Sequence, residues 1–182
     1  MTDDTSTISF EALLRTLQQS TIVRLPEEAS KKLPSRGQVA VKGTVNGYEF
    51  NAVLEPDGYW GHWIRLDAKL QQVAGIHGGD TVSIAIVPVK EWPEPEVPDD
   101  LKKALSIAPK NIQKLWKEIT PMARWEWVRW VNETRNPDTR KHRIEVSISK
   151  MQNGKRRPCC FNLAACTDPE LSKGGRLKEN TA

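Results

Sequence analysis

The sequence predicts an α+β protein in which a small β-barrel is followed by a bundle of three to four short helices. Residues 1–92 contain five or six short β-prone segments separated by turn residues, a spacing typical of small barrels. Residues 99–157 place apolar side chains at helical spacing instead, and the three prolines of residues 91–98 separate the two patterns. We therefore predict a barrel domain at 1–92, a linker at 93–98, a helical module at 99–157 and a tail at 158–182.

The strands of the first half are indicated by alternating apolar residues and by the turns between them. Residues 8–12 alternate, and residues 21–25 are β-branched and apolar up to a proline. Asn46–Gly47 predicts a two-residue hairpin turn, because both central positions of such a turn need a positive φ. The other elements predicted here are a helix at 26–33, hairpin strands at 39–45 and 48–54, a strand at 59–66, a helix at 67–73 and a strand at 81–87.

In the second half, apolar residues recur three and four positions apart. A first helix begins at Asp99 or Asp100, and a second begins after Pro109. A third begins at Thr120–Pro121, where a capping hydroxyl precedes proline, and its inward residues are Ala123, Trp127, Trp130 and Val131. A fourth runs from about residue 139 to 150, and from Ser172 the chain is predicted to be disordered.

The composition favours a folded chain that is not inserted in a membrane. Its 182 residues are 38% hydrophobic and include seven tryptophans, which supplies enough apolar surface for a core. No apolar run approaches the roughly 20 residues of a transmembrane helix. The acidic start MTDDTSTIS is unlike a signal peptide, and three cysteines are too few for a secreted disulfide framework. We therefore expect a cytoplasmic protein with reduced thiols.

Four segments, in this order, carry a family resemblance: GQVAVKGTVNGYEF, AGIHGGDTVSIAI, EVPDDLKKAL and TPMARWEWVRWVNETRNPDTRKHRIEVSISKMQNGKRRP. Over residues 8–158 they resemble the bacterial YdeI or OmpD-associated family, whose members are often labelled bacteriocin-protection proteins. The resemblance implies a double-split β-barrel similar to those of AbrB, MazE and MraZ, followed by a helical module. That family has no agreed catalytic residues, so the resemblance implies none in this chain.

Positive charge is concentrated in the second half. Residues 1–92 hold 9 basic and 11 acidic residues, whereas residues 93–182 hold 18 and 12. The segment from Arg135 to Arg157 contains eight basic residues and two acidic ones, an excess of positive charge suited to binding phosphate groups. The candidate contacts to nucleic acid or another anion are Arg135, Arg140, Arg143, Lys155, Arg156 and Arg157. The alternative is a solvated face whose arginines pair with Glu118, Glu126 and Glu133 to fix helix packing.

Three further side chains are candidate contacts to a partner or ligand. Trp125, with Arg124 and Arg129 nearby, is either a stacking platform or a packing contact across the domain boundary. Trp60 and His62 share one face of the predicted strand at 59–66, and Trp63 lies on the other. We expect one of these faces to be core, and the other is a candidate wall of a cleft towards the helices.

No catalytic or metal-binding constellation is recognised. Cys159, Cys160 and Cys166, even with His142, lack the paired spacing of a zinc site, so we expect no metal and no cofactor. The sequence has no nucleophile elbow, phosphate-binding loop or dinucleotide fingerprint, and we expect that the protein is not an enzyme.

Two functional hypotheses follow. The first is a non-enzymatic cytoplasmic accessory or stress-protection protein that binds an unknown protein or small-ligand partner. The second is a nucleic-acid-binding regulator that uses the basic C-terminal helix. The chain is compatible with a monomer or a homodimer, since AbrB-like barrels often pair two chains and this one is long enough to close alone.

Overall fold

The computed structural model describes residues 6–158, 171–173 and 176–178. In this part of the chain an antiparallel sheet is followed by helices, which confirms the α+β class. The seven strands of the main sheet are β1 (Ile8–Leu13), β2 (Arg15–Leu17), β3 (Ser20–Arg24), β4 (Val39–Val45), β5 (Tyr48–Pro56), β6 (His62–Leu66) and β7 (Thr81–Pro88).

The sheet is curled into an antiparallel half-barrel with the strand order β1-β7-β4-β5-β6-β3-β2. β1 also contacts β3, which brings the two ends of the sheet together around the core. Asn46 and Gly47 have φ angles of 47° and 86°, so the predicted hairpin between β4 and β5 is confirmed. The double-split arrangement and the likeness to AbrB-type barrels stay predictions.

Two short helices cover the barrel, α1 (Glu27–Lys31) and α2 (Ala68–Ala74). The Asp67 side chain caps α2 by accepting a hydrogen bond from the Leu70 amide at 2.7 Å. The barrel core consists of aliphatic side chains from the strands, including Val23, Val41, Leu54, Ile64, Ile84 and Ile86. Burial of this apolar surface is what holds the curled sheet together.

The helical region contains α3 (Asp99–Ile107), α4 (Lys110–Glu118), α5 (Pro121–Asn132) and α6 (Pro137–Gln152). Thr120 caps α5 as predicted, with its hydroxyl accepting from the Ala123 amide at 3.2 Å. A separate core lies between these helices, and Trp127 is fully buried in it. The indole N–H of Trp127 donates to the carbonyl of Arg156 at 3.0 Å, which ties the end of the region to α5. No helix in the described part of the chain is long and apolar enough to cross a membrane.

The structure differs from the sequence-based prediction at three places. A short strand, β2, was not predicted, and the strand predicted at 59–66 begins only at His62. The reason for the late start is the Asp57 side chain, which accepts hydrogen bonds from the backbone amides of Tyr59 and Gly61 and holds a turn there.

The third difference is in the tail, which was predicted to be disordered from Ser172. Its described residues form a small ladder of β8 (Ser172–Lys173) and β9 (Arg176–Leu177). Leu171 and Leu177 are buried against three barrel residues, Leu17, Ile22 and Trp63. Contacts with apolar residues that are distant in the sequence therefore order a segment whose own propensity for secondary structure is weak. Cys159, Cys160 and Cys166 lie outside the described residues.

Candidate functional site

A cleft of about 340 Å³ lies between the barrel and the helical region. Its walls are formed by β5 and β6 of the barrel, by linker residues 93–96 and by the exposed end of α5. The barrel and the helices have separate apolar cores, so this boundary is a place where polar groups can be half-buried without interrupting either core. We call it the interdomain cleft.

A buried ion pair crosses the interdomain cleft. The Arg129 Nε atom lies 2.7 Å from Oε1 of Glu55, and the two side chains are only 9% and 15% exposed. Burial raises the pKa of the Glu55 carboxyl, and the Arg129 charge partly offsets that rise. The pair joins β5 to α5 and fixes how the barrel faces the helices.

Tryptophans form the apolar part of the cleft. Trp125 is half-buried and contacts Trp92 edge-to-face, with 5.0 Å between the ring centroids. The Arg129 guanidinium lies 5.4 Å from the centroid of the Trp125 ring. Trp63 is 2% exposed, and its indole N–H has no hydrogen-bond acceptor among the residues that the structure describes. A buried donor without an acceptor is unfavourable, and an acceptor on a bound molecule would relieve that cost.

Polar side chains complete the rim of the cleft. Arg65 and Asn51 are exposed on the barrel side. On the linker side, Glu94 is held by hydrogen bonds from Arg124, which also donates to carbonyls at the end of α4. Groups of both charges around two indole rings can bind a small molecule that carries polar groups on a flat or apolar body.

The predicted contact residue His62 lies elsewhere and is fully buried. Its Nε2 donates to the Gly37 carbonyl at 2.9 Å, so its Nδ1 accepts from the Ser30 hydroxyl at 2.6 Å. Burial lowers the pKa of His62, which keeps the ring neutral in the fold. A serine hydroxyl directed at a histidine nitrogen is a feature of hydrolases, but here both groups are inside the protein.

Trp60 does not share a face with His62. Strand β6 begins only at His62, so Trp60 lies in the turn that Asp57 holds and not on the strand. Its side chain is 85% exposed and its backbone has a φ of +70°. The expectation that Trp60 and His62 point the same way is therefore wrong. Trp63, expected on the opposite face, is the residue of this segment that lines the interdomain cleft.

Three of the predicted anion-binding arginines are engaged with acidic side chains. Arg140 binds Asp100, and this hydrogen bond lowers the pKa of the Asp100 carboxyl. Arg157 holds the buried Glu126 through two hydrogen bonds. Arg143 lies 3.0 Å from Glu133 and donates to the Trp130 carbonyl at 2.8 Å. These contacts fix the packing of α5 and α6 on their neighbours.

The remaining predicted basic residues, Arg135, Lys155 and Arg156, are exposed. Lys155 and Arg156 follow the end of α6, and Arg135 lies in the loop before it. The predicted set thus includes three arginines that pair with acidic side chains of the helical region, of which Arg157 is itself 56% exposed, and three exposed cations near the ends of α6. Among the described residues, no group of three His, Cys, Asp or Glu side chains is placed to hold a metal ion.

Sequence reasoning placed Arg129 near Trp125 but missed its partner in the cleft, Glu55. Glu55 and Arg129 are 74 positions apart, and no local pattern marks Glu55 as buried. Two signals in the sequence pointed to a cleft. They are the aromatic segment near Trp63 and Trp125 at the domain boundary.

Comparisons with known families match the barrel and the helical region of the chain separately. Residues 10–86 match a domain of unknown function, DUF1905. Residues 94–154 match the family described as bacteriocin-protection, YdeI or OmpD-associated. No curated protein matches the chain. The two matches cover the barrel and the helical region in turn, and together they support the resemblance seen in the sequence.

Proposed function

We propose, from the match of residues 94–154 to the bacteriocin-protection, YdeI or OmpD-associated family, that this chain is a non-enzymatic accessory protein. It acts by binding a small polar ligand in the interdomain cleft. The family description points to a protective role and names no ligand.

The observation that carries this proposal is Trp63, which lines the cleft and whose buried indole N–H has no acceptor among the described residues. Proteins rarely leave such a donor without an acceptor, and a functional site is one of the recognised reasons. The ion pair of Glu55 and Arg129 adds fixed polar groups beside it, and Trp125 adds an aromatic surface.

A binding role is favoured over catalysis by the place of the Ser30–His62 pair. A nucleophile and its base must meet the substrate, and both of these groups are buried under the barrel surface. Their hydrogen bonds connect α1, the loop at Gly37 and β6, which is a structural role.

The test is a screen of small polar metabolites by ligand-observed NMR, followed by titration into ¹⁵N-labelled protein. We expect the hits to shift the Trp63 indole N–H resonance. Asn51→Trp should block them, because residue 51 is exposed on β5 and lines the cleft. Glu49→Trp, two residues earlier on the same strand and outside the cleft lining, is the matched control. Hits that ignore Asn51→Trp, or a screen without hits, would contradict the proposal.

The second candidate is nucleic-acid binding by the basic C-terminal helix, and its test must leave the paired arginines intact. Replacing Arg140 and Arg143 would break packing contacts, so a loss of binding would have two explanations. Lys155→Ala combined with Arg156→Ala removes exposed charge without touching those ion pairs.

A cytoplasmic location also stays a proposal, and cell fractionation tests it.

A further inference from the structure

Trp60 is held in an unfavourable position on the surface of the barrel. Its indole is 85% exposed, and its φ of +70° lies in the left-handed region that non-glycine residues avoid. Neither feature helps folding, because the ring buries almost nothing and the backbone is strained. Residues of this kind are found where the surrounding structure enforces them for a function.

The turn that presents Trp60 is rigidly built. The Asp57 carboxylate accepts hydrogen bonds from the amides of Tyr59 at 2.7 Å and Gly61 at 2.9 Å. The Asp57 amide donates to the Gly61 carbonyl at 3.0 Å, and the Arg36 guanidinium donates to the Trp60 carbonyl at 3.0 Å. The backbone that carries the exposed indole is therefore fixed before any partner arrives.

Positive charge surrounds this aromatic turn. The guanidinium groups of Arg24 and Arg176 lie 5.1 and 5.5 Å from the centroid of the Tyr59 ring. Arg24 is neutralised by Asp57 at 2.9 Å. In the described parts of the chain, no carboxylate pairs with Arg36, with Arg176 or with Lys173, which lies opposite Arg176 in the β8–β9 ladder. We call Tyr59, Trp60, Arg36, Lys173 and Arg176 the Trp60 patch.

We propose that the Trp60 patch binds single-stranded nucleic acid. A base stacks on the exposed Trp60 indole, and the guanidinium groups of Arg36 and Arg176 contact the phosphates on either side. Aromatic stacking beside cationic groups is the general way in which proteins hold unpaired strands. The site is separate from the interdomain cleft and from the arginines of α6, so it stands independently of the proposed function.

The chemistry around Trp60 favours this partner over a protein. Tryptophan anchors at protein interfaces are ringed by apolar contacts that exclude water. Here the exposed neighbours are Tyr59 and cationic side chains, and the guanidinium groups of Arg24 and Arg176 lie against the Tyr59 ring. An acidic protein segment is the competing partner and forms one arm of the test.

The experiment measures the anisotropy of a fluorescent 15-nucleotide oligothymidylate titrated with the full chain at 50 and 200 mM salt. With two phosphate contacts and a single-strand slope of about −0.7 per contact, the fourfold salt increase should weaken binding about sevenfold. Trp60→Ala should weaken binding about tenfold, the size expected for the loss of one stacked base. Arg36→Ala with Arg176→Ala should weaken it and reduce the salt dependence.

Controls separate this site from the rest of the surface. Ile107→Ala removes another highly exposed apolar side chain, 78% exposed on α3, and should leave binding unchanged. Trp60→Phe keeps an aromatic face and should keep part of the affinity, and an unchanged thermal unfolding midpoint shows that the variants are folded. Failure of the cleft screen described above leaves this prediction intact, since the two sites share no residue.

Four results would overturn the proposal. The first is no binding of the oligonucleotide at 50 mM salt, and the second is Trp60→Ala with wild-type affinity. The third is oligonucleotide binding abolished by Lys155→Ala with Arg156→Ala, which would place the site at the end of α6. Binding of poly-glutamate but not of the oligonucleotide would likewise reject nucleic acid in favour of an acidic protein partner.

Discussion

Arg129→Met is expected to destabilise the protein strongly, because it leaves the Glu55 charge buried without its partner. Both side chains are at most 15% exposed and lie 2.7 Å apart. Breaking a buried ion pair from one side costs about 3 to 5 kcal/mol, and the small residual exposure places this case near 3 kcal/mol at pH 7. Removing both charges with Glu55→Met as well should recover most of that loss, since no unpaired charge then remains.

The loss of stability in Arg129→Met should depend on pH in a definite direction. Burial already raises the pKa of Glu55 above 4.5 in the fold, and loss of Arg129 raises it further. A carboxyl with a raised folded pKa stabilises the protein when protonated and loses that stability as the pH rises through the shifted range. The deficit of Arg129→Met relative to wild type should therefore shrink as the pH is lowered from 7 to 5.

Urea unfolding, followed by far-UV circular dichroism at pH 5, 6 and 7, measures these free energies. Lys31→Met is the control, because its partner Glu27 is exposed and no measurable change is expected. A deficit for Arg129→Met below about 1 kcal/mol, or a double variant as unstable as the single one, would refute the reasoning. So would a deficit that is the same at all three pH values.

Three further outcomes are expected. Because burial lowers the pKa of His62, the free energy of unfolding should fall as the pH drops below 6.5, and His62→Gln should flatten that slope. Trp60→Gly should be more stable than Trp60→Ala by about 1 kcal/mol, because glycine relieves the positive φ that alanine retains; equal stability would mean no strain. Leu177→Ala should lower the free energy of unfolding by about 2 kcal/mol, while the exposed Lys173→Ala leaves it unchanged. Denaturant titration of each variant checks all three.

The sequence alone determined the elements whose physics is local. The Thr120–Pro121 pair begins α5 because a hydroxyl can satisfy a free amide within three residues. Asn46–Gly47 closes the β4–β5 hairpin because both residues tolerate positive φ. The inward direction of Trp127 followed from helical spacing. The change of pattern at the prolines predicts a domain boundary, and the two family matches cover residues 10–86 and 94–154.

Only the tertiary structure decided the groups on which the proposals depend. Glu55 and Arg129 meet because the barrel and the helices dock, and no spacing in the sequence records that contact. The arginines between residues 135 and 157 form a basic run in the sequence, but acidic side chains elsewhere in the helical region engage three of them, Arg140 and Arg143 of α6 and Arg157 beyond its end. Trp60 was placed on a strand by its aromatic neighbours, and a single carboxylate, Asp57, turned it out into solvent. Local propensity is read from neighbours in the chain, whereas ion pairing, burial and enforced strain depend on which distant residues the fold brings into contact.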